Sequence, residues 1–258
     1  MDAVIIVIPA FNEERRIGGV LDSLNSKDSL GIIRLLRIIV INDGSTDRTS
    51  GIAQSKGALV IDLNKNMGKG YALKAGMKTA SRLMRQLSTQ GWIVTMDADG
   101  QHSPEDIPIV IQESIKKRVL VMIANRSIRK PFASPLPVFR YKINYITTKF
   151  IRTVFGLPIH DLNSGFRAYS SSIAEFLLHG SRTNRFQFET EVLLECWAKN
   201  IRIGETPVSE IYFPGSPSRI RNFRDTILWI ILVFARILLV GIKYRQRRQM
   251  RANRIRAY

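Results

Sequence analysis

Short apolar runs alternate with longer amphipathic stretches over the first 125 positions of the chain. Five runs rich in β-branched residues, at 4–8, 37–41, 58–63, 92–96 and 119–123, are almost wholly apolar. Such runs predict strands that are covered on both faces of a sheet. The periodicity between them predicts helices near 13–26, 46–55, 68–88 and 104–117. This order of elements is typical of an α/β fold with a doubly wound, mostly parallel sheet.

Polar residues that suit helix N-termini precede three of these helices, and we expect Asn12, Ser45 with Thr46, and Ser103 to provide the caps. After Arg126 the pattern changes. A Pro-rich loop leads to a predicted helix near 138–155, and a second loop leads to another near 187–199. Positions 202–213 are predicted to return as a hairpin-like pair of strands. We assign 1–220 to one domain and 221–258 to a membrane-associating helix with a basic tail.

Three polar motifs directly follow predicted strands: PAFNE at 9–13, NDGSTD at 42–47 and DADGQH at 97–102. The carboxyl ends of parallel strands meet at one edge of a sheet, where ligands bind. In the third motif, Asp97 and Asp99 could point at one hard divalent cation, which would neutralise a leaving nucleoside diphosphate. Asp and Gly also favour solvated turns for structural reasons, so this motif alone leaves both interpretations open.

The first two motifs have the chemistry of a nucleoside site. Phe11 and Glu13 could grip a base or a ribose, Asp43 could do so from the next strand, and a turn at 66–72 brings Lys69 beside them. A capped helix start would explain PAFNE equally well. The pattern of Gly, four residues and Gly-Lys-Ser/Thr is absent from the sequence, which argues against a phosphate-loop NTPase.

Positive charge is concentrated in the C-terminal part. The net charge is +18, and from position 219 onward there are eleven Lys and Arg residues and one acid. Such a block suits lipid headgroups or nucleic acid. Carboxylates at the strand ends and the apolar run before the tail argue against nucleic acid. That run, 226–242, has 17 residues with Arg236 in its middle, which favours a helix at the membrane interface over one that spans the bilayer.

The cellular setting follows from two further observations. The single cysteine, Cys196, excludes an intramolecular disulfide, and its apolar neighbours predict an inert, buried thiol. No signal-peptide pattern opens the chain. We therefore expect the protein at the cytoplasmic face of a membrane, either peripheral or anchored by its C-terminal segment.

Five motifs occur in the order PAFNE, VINDGSTDRT, NMGKGYALKAG, DADGQHSPEDI and DLNSGFRAY. In this order they resemble the family 2 glycosyltransferases, and among these the dolichol-phosphate mannose and dolichol-phosphate glucose synthases, over about residues 3–220. The resemblance implies a glycosyltransferase A-type fold. It also implies inverting transfer of a hexose from GDP-mannose or UDP-glucose to a dolichyl or polyprenyl phosphate. Phe213 replaces an arginine that many of the mannose synthases have, which argues against GDP-mannose.

The resemblance further implies roles for particular residues. Asp99 and Gln101 would hold Mg²⁺ or Mn²⁺, and the acceptor phosphate would bind Arg126, Arg140 and Asn144. The catalytic residues would be Asp99, Arg126, Arg140 and Asp161. The nucleotide sugar would bind Pro9, Phe11, Glu13, Ile41, Asp43, Lys69, Asp97, Ala98 and Arg219. Further candidates are Ser164, Gly165 and Arg167 for the donor-sugar pocket and Glu191 for a sugar hydroxyl, whereas His102 and His160 are interpreted as structural.

Alternatives remain open for the acceptor. A phosphate is already an anion, so transfer to it needs no strong general base, and positioning with charge stabilisation would suffice. Asp161 lies where family members with hydroxyl acceptors have their base, so transfer to a glycolipid or glycan hydroxyl is one alternative. A non-catalytic nucleotide-sugar-binding protein is another, which Asp99 and Gln101 disfavour. The sequence leaves open whether a membrane subunit or a homo-oligomer is required.

Overall fold

The computed structural model describes residues 2–26, 30–31, 33–126, 138–180 and 187–209, together with Leu238 and Ile242. The strands in these ranges are β1 (Ala3–Ala10), β2 (Arg34–Asn42), β3 (Leu59–Asp62), β4 (Gly91–Thr95), β5 (Val121–Asn125), β6 (Arg167–Ser170) and β7 (Ile203–Pro207). The helices are α1 (Ile17–Asn25), α2 (Thr49–Ser55), α3 (Lys69–Gln86), α4 (Asp106–Lys116), α5 (Val138–Phe155), α6 (Ser171–Gly180) and α7 (Gln187–Ala198).

The described strands form one sheet in the order β3-β2-β1-β4-β6-β5-β7. Neighbouring strands are parallel except at β6, which runs antiparallel to both β4 and β5. Because β6 is antiparallel to both of its neighbours, β4 and β5 run in the same direction. Their carboxyl ends therefore lie at the same edge of the sheet. The predicted α/β fold with a doubly wound, mostly parallel sheet is confirmed.

Both faces of β1 are covered, which explains why its sequence is a continuous apolar run. Val4, Ile6 and Ile8 pack against α1, α2 and α4, whereas Ile5 and Val7 point to the opposite face and pack beneath α3. All five side chains are fully buried. The central strand is therefore fixed in register from both sides, and the loop that follows it is held in place.

A third apolar cluster lies beside the sheet. It joins the end of α5, the loop that follows it and α7, through residues such as Ile151, Leu157 and Leu193. Cys196 lies in α7 and is buried, and burial raises the pKa of its thiol to about 12. The thiol is therefore protonated at neutral pH, which agrees with the prediction of an inert core cysteine.

Several elements differ from the expectations. Helices α1, α2 and α4 begin a few residues later than predicted, at Ile17, Thr49 and Asp106, and their N-cap residues make no side-chain capping hydrogen bond. The predicted caps were wrong. Strand β6 lies in a segment predicted as loop, because a four-residue strand is too short for a period of two to be recognised. Helix α6 lies in a stretch for which no element was predicted. Strand β7 pairs with β5 in parallel, and positions 210–213, the second half of the predicted hairpin, lie outside the described residues.

The membrane-associating segment is only partly described. The predicted domain boundary at 220 and the segment 221–258, apart from Leu238 and Ile242, lie outside the described residues. Among the helices that are described, none is both long and apolar enough to cross a bilayer.

Candidate active site

The motif loops leave the sheet at one edge. The register of β1 and β2 pairs Pro9 with Ile41, so PAFNE and NDGSTD begin side by side. On the other side of β1, the N–H of Met96 donates to the carbonyl of Val7 at 3.1 Å, and DADGQH begins at the next residue. The three motifs therefore meet beyond the carboxyl ends of β1, β2 and β4, as ligand sites do in open parallel sheets.

Reciprocal hydrogen bonds lock the first two motif loops together. The N–H of Asn12 donates to Ser45 Oγ at 2.9 Å, and the N–H of Thr46 donates to Asn12 Oδ1 at 2.9 Å. Asn12 has a φ of 55°, a left-handed conformation that Asn tolerates better than most residues. The residues predicted to cap helices thus brace one loop against the other. Beside this brace, Phe11 is 36% exposed, so its ring is accessible for stacking.

Asp43 organises the turn that precedes α3. Its carboxylate accepts the N–H of Met67 at 2.7 Å and the N–H of Gly68 at 2.9 Å, and the residue is buried. Gly44 has a φ of 71°, and a Cβ there would lie 2.4 Å from the backbone of the facing turn. Only glycine permits this approach. The turn held by Asp43 places Lys69 at the first position of α3.

Lys69 joins two acidic groups from distant parts of the chain. Its Nζ lies 2.6 Å from Asp97 Oδ1 and 2.9 Å from Glu189 Oε1, and its side chain is 11% exposed. Burial alone would lower the pKa of Lys69, but the charges of Asp97 and Glu189 raise it above its ordinary value. Burial also opposes ionisation of Asp97, yet the charge of Lys69 and the adjacent His102 side chain hold the pKa of Asp97 well below its usual range. At neutral pH both groups are charged.

The loop before β6 closes over this ion pair. A Cβ at Gly165 would lie 2.6 Å from Asp97 Oδ2 and 2.8 Å from Lys69 Nζ. His102 Nε2 approaches the same carboxylate at 3.6 Å, and its ring lies edge-on to Phe166 with 5.4 Å between centroids. The lack of a side chain at Gly165 therefore lets the loop 156–166 pack directly on the DADGQH motif.

Asp99 and Gln101 offer oxygen ligands for a hard cation. Both are half-buried at one turn, where Asp99 Oδ1 accepts the N–H of Gln101 at 3.1 Å. Within the described ranges, no group of three or more His, Cys, Asp or Glu could hold a metal ion. Mg²⁺ is often bound by one or two carboxylates, with phosphates and water as the remaining ligands. Asp99 and Gln101 therefore fit a divalent cation whose remaining ligands would be the oxygens of a bound diphosphate.

Arg126 and Asp161 form a second charged centre, at the carboxyl end of β5. Arg126 Nε donates to Asp161 Oδ2 at 2.9 Å and Nη2 donates to Oδ1 at 3.2 Å, a bidentate arrangement. Asp161 is 1% exposed, whereas the Arg126 side chain is 19% exposed. The carboxylate therefore holds a guanidinium whose surface is still in part accessible at the edge of the sheet.

Some predicted residues have other surroundings. The side chain of Ile41 is buried in the core beneath α3, so its backbone is the part at the site. Arg167 is fully buried and donates to the carbonyls of Leu162, Ser164 and Glu189. It holds the loop before β6 together rather than lining a sugar pocket.

Some of the remaining predicted residues are described by the structure and others are not. At the edge lie Pro9, which is half-buried, and the buried residues Glu13 and Ala98, whereas Glu191 is buried on α7. The backbone of α5 carries Arg140 and Asn144, but their side chains lie outside the described residues, as do Arg219 and Phe213. The described part therefore brings the predicted donor residues other than Arg219 to one edge of the sheet and leaves two of the three acceptor residues without described side chains.

Three residues of the site were missed or given a weaker role. Glu189 pairs with Lys69, Glu205 of β7 contacts the loop that carries Asp161, and His102 faces Asp97. Glu189 lies 120 positions from Lys69 and Glu205 lies 44 positions from Asp161, and a single sequence contains no signal for such pairs. His102 directly follows the DADGQ motif, and that position was a signal for its role.

The fold and the site define a class of protein. The sheet has the glycosyltransferase A-type fold and is similar to a crystal structure of glucosyl-3-phosphoglycerate synthase from Mycobacterium tuberculosis in complex with Mn²⁺, UDP and phosphoglyceric acid. The TM-score is 0.66 at 18% identity, over 93% of this chain and 78% of that one. Residues 5–178 match the profile of glycosyl transferase family 2. The chain belongs to this family, as its motifs predicted.

Two relatives align over most of their length. The UDP-N-acetylglucosamine–dolichyl-phosphate N-acetylglucosaminyltransferase of Methanococcus voltae is 28% identical over 255 residues, which cover 92% of this chain and 95% of that protein. A dolichyl-phosphate beta-glucosyltransferase of Trichomonas vaginalis is 26% identical over 249 residues, which cover 90% of this chain and 73% of that protein.

Proposed function

We propose that this glycosyltransferase transfers a hexose, mannose or glucose, with inversion from a nucleotide sugar to a dolichyl or polyprenyl phosphate at a membrane surface. The names of the two relatives support the acceptor class, because they contain different sugars and the same dolichyl phosphate. The structural observation that carries the proposal is the bidentate contact between Arg126 and Asp161.

This contact bears on the choice between a phosphate and a hydroxyl acceptor. A hydroxyl acceptor needs a base to remove its proton. Both carboxylate oxygens of Asp161 accept hydrogen bonds from Arg126, an arrangement suited to holding a cation in place rather than to taking a proton. An oxygen of a phosphate is ionised near neutral pH and can attack the anomeric carbon directly, and a guanidinium fork matches phosphate oxygens.

On the donor side, we assign the nucleoside to Phe11, Glu13 and Asp43, with the diphosphate near Asp97 and Lys69. The accessible ring of Phe11 can stack on a base. Lys69 keeps Asp97 ionised and oriented. A Mg²⁺ or Mn²⁺ ion held by Asp99 and Gln101 would supply positive charge to the leaving nucleoside diphosphate.

The next question is which nucleotide sugar is the donor. A uridine nucleotide is favoured over GDP-mannose, because one relative is named for a UDP-sugar and Phe213 replaces the arginine of many mannose synthases. We therefore expect UDP-glucose to be the better of the two donors proposed from the sequence.

Exposed apolar and basic side chains on helix α5 support the proposal that the enzyme acts at a membrane surface. Tyr145 and Ile146 of α5 are more than half exposed, and Lys149 and Arg152 of the same helix are also exposed. Such a surface suits binding to anionic headgroups from the cytoplasmic side. The lipid tail could then stay in the bilayer while its phosphate reaches the edge of the sheet.

The decisive experiment is transfer of radiolabelled sugar from UDP-glucose, GDP-mannose or UDP-N-acetylglucosamine to a short polyprenyl phosphate in detergent with Mn²⁺. Wild type should form a lipid-linked product that Asp99→Ala and Arg126→Ala reduce by about a hundredfold or more. Arg82→Ala, at an exposed position of α3, is the matched control and should retain wild-type activity. Donor turnover with no glycosylated polyprenyl phosphate would reject the acceptor and favour a hydroxyl acceptor with Asp161 as base.

A further inference from the structure

We propose that Glu205 is a positioning residue for the acceptor site, because it fixes the two chain segments that carry the Arg126–Asp161 pair. This inference rests on the function proposed for that pair. Glu205 lies on β7, where its register partner on β5 is Ile123. Its side chain is only 7% exposed.

The carboxylate of Glu205 contacts the loop that follows α5. Its Oε1 accepts the N–H of His160 at 2.7 Å and the N–H of Asp161 at 3.0 Å. Its Oε2 lies 2.9 Å from Nδ1 of His160. One carboxylate oxygen that accepts two successive backbone N–H groups determines where this part of the loop lies relative to β7.

The same carboxylate also contacts β5. The side-chain amide of Asn125 donates to Glu205 Oε2 at 3.1 Å. Asn125 directly precedes Arg126 in the chain. Glu205 therefore contacts Asp161 directly and contacts Arg126 through the neighbouring residue Asn125. The backbone N–H of Arg126 also donates to Asp161 Oδ2 at 3.3 Å, which joins the two segments to each other.

A structural role in the sheet alone would not require a charged residue here. Burial of a carboxylate costs free energy unless hydrogen bonds compensate for lost water. At Glu205 the compensation comes from Asn125, which precedes Arg126, and from His160 and Asp161. Loss of this carboxylate should therefore displace Arg126, and a displacement of about 1 Å is enough to impair catalysis strongly.

The test compares Glu205→Ala, Glu205→Gln and Glu195→Ala in the full chain. Glu195 is a buried carboxylate of α7 that pairs with Lys199 at 2.6 Å, so its variant controls for loss of a buried charge elsewhere. We expect Glu205→Ala to raise KM for a short polyprenyl phosphate about tenfold or more, with KM for the nucleotide sugar unchanged to within about twofold. Glu205→Gln retains an acceptor oxygen and should recover most of the loss, and Glu195→Ala should resemble wild type.

Two outcomes would overturn the proposal. In the first, Glu205→Ala raises KM for the polyprenyl phosphate and KM for the nucleotide sugar in parallel, or it raises neither of them. In the second, its effect adds independently to that of Arg126→Ala, because residues that act through one another are not additive. A double variant no worse than Arg126→Ala alone is the expected result.

A separate readout distinguishes this proposal from the proposed function. Backbone hydrogen exchange in a peptide covering 157–163 should be faster in Glu205→Ala than in wild type and unchanged in Glu195→Ala. If wild type glycosylates no polyprenyl phosphate, the proposed function fails, and exchange then decides the role of Glu205. Unaltered exchange in Glu205→Ala would overturn it.

Discussion

Asp97, whose side chain is 25% exposed, remains ionised because Lys69 and His102 face it. Lys69 in turn contacts Glu189, so one ammonium group compensates two acids. A buried ion pair of this kind need not stabilise a fold more than apolar residues would, but removing one partner leaves an uncompensated charge. The cost of losing Lys69 should therefore exceed the usual cost of losing a lysine.

The first prediction concerns the change Lys69→Met. Asp97 and Glu189 would be left without a cation, and the free energy of unfolding should fall by about 3 kcal/mol or more. Urea denaturation measures this change. Lys78→Met, at an exposed position of the same helix, should alter stability by less than about 0.5 kcal/mol. Similar losses in the two variants would show that the ion pair has no special role.

The second prediction concerns pH. The pKa of Asp97 is held well below its usual range, so its stabilising contribution is present above the pKa of an unfolded Asp, about 4, and is lost as pH falls further. The raised pKa of Lys69 leaves its own contribution intact until the pH exceeds about 10. The stability difference between wild type and Asp97→Asn should be constant from about pH 5 to 9 and shrink below about pH 4. Denaturation at each pH measures it, and a constant difference down to pH 2 would contradict this.

At the scale of elements, α3 packs closely on the sheet through one glycine. A Cβ at Gly76 would lie 2.3 Å from Val7 Cγ1 and 3.1 Å from Ile41 Cγ1. Because β1 is buried on both faces, Val7 cannot move away without disturbing the opposite layer. The distance between α3 and β1 also sets where Lys69 stands relative to the end of β4.

The third prediction follows from this packing. Gly76→Ala should lower the free energy of unfolding by about 1–3 kcal/mol through overpacking. Gly19→Ala in α1, where an added Cβ meets nothing within 4 Å, should instead raise it by about 0.5–1 kcal/mol. Chemical denaturation of both variants provides the comparison. A stabilising Gly76→Ala would mean that α3 can shift freely on the sheet.

Elements with strong periodicity could be predicted from the sequence, and elements defined by their partners could not. All five strands predicted before position 126 are present, because each is a long apolar run with turn signals beside it. Strand β6 is only four residues long and includes the buried Arg167, so its hydrophobic pattern is too weak to recognise. The parallel pairing of β7 with β5 is a long-range contact that no local pattern predicts, and positions 210–213 of the predicted hairpin lie outside the described residues.

The same distinction applies to the site. Asp97, Asp99 and Asp43 could be located because each lies within three positions of the end of a predicted strand. The contacts that hold them could not, since Glu189, Glu205 and Gly165 approach from elements distant in the sequence. Local patterns therefore identified which groups carry the proposed chemistry, and tertiary structure identifies which groups hold them in place.

At the scale of the whole molecule, charge is unevenly distributed. The last forty positions carry eleven of the 39 Lys and Arg residues with a single acid among them. Leu238 and Ile242 of this segment are helical, four positions apart and each 47% exposed. Residues four apart share one face of a helix, so an apolar face and a basic tail occur together.

The fourth prediction is that the full chain binds vesicles that contain anionic lipid and binds zwitterionic vesicles weakly. Binding should fall as ionic strength rises, because salt screens charge over about 10 Å at 0.1 M. Sedimentation with vesicles measures the bound fraction. Replacement of Arg245, Arg247 and Arg248 by Gln should weaken binding more than the same replacement at the exposed residues Lys65, Lys78 and Arg82. Equal binding to both lipids at any salt would point to a membrane subunit or a second copy as the partner of this segment.

The position of β6 between β4 and β5 has a consequence for synthesis on the ribosome. Strands β1 to β4 can pair among themselves once about the first hundred residues have emerged, since each has a neighbour within that length. Strand β5 emerges next, and its partners among the described strands, β6 and β7, follow at least 40 residues later. A nascent chain would thus complete the half of the sheet assigned to the donor first. The half assigned to the acceptor would wait as an exposed apolar strand, the stage at which assistance from chaperones matters most.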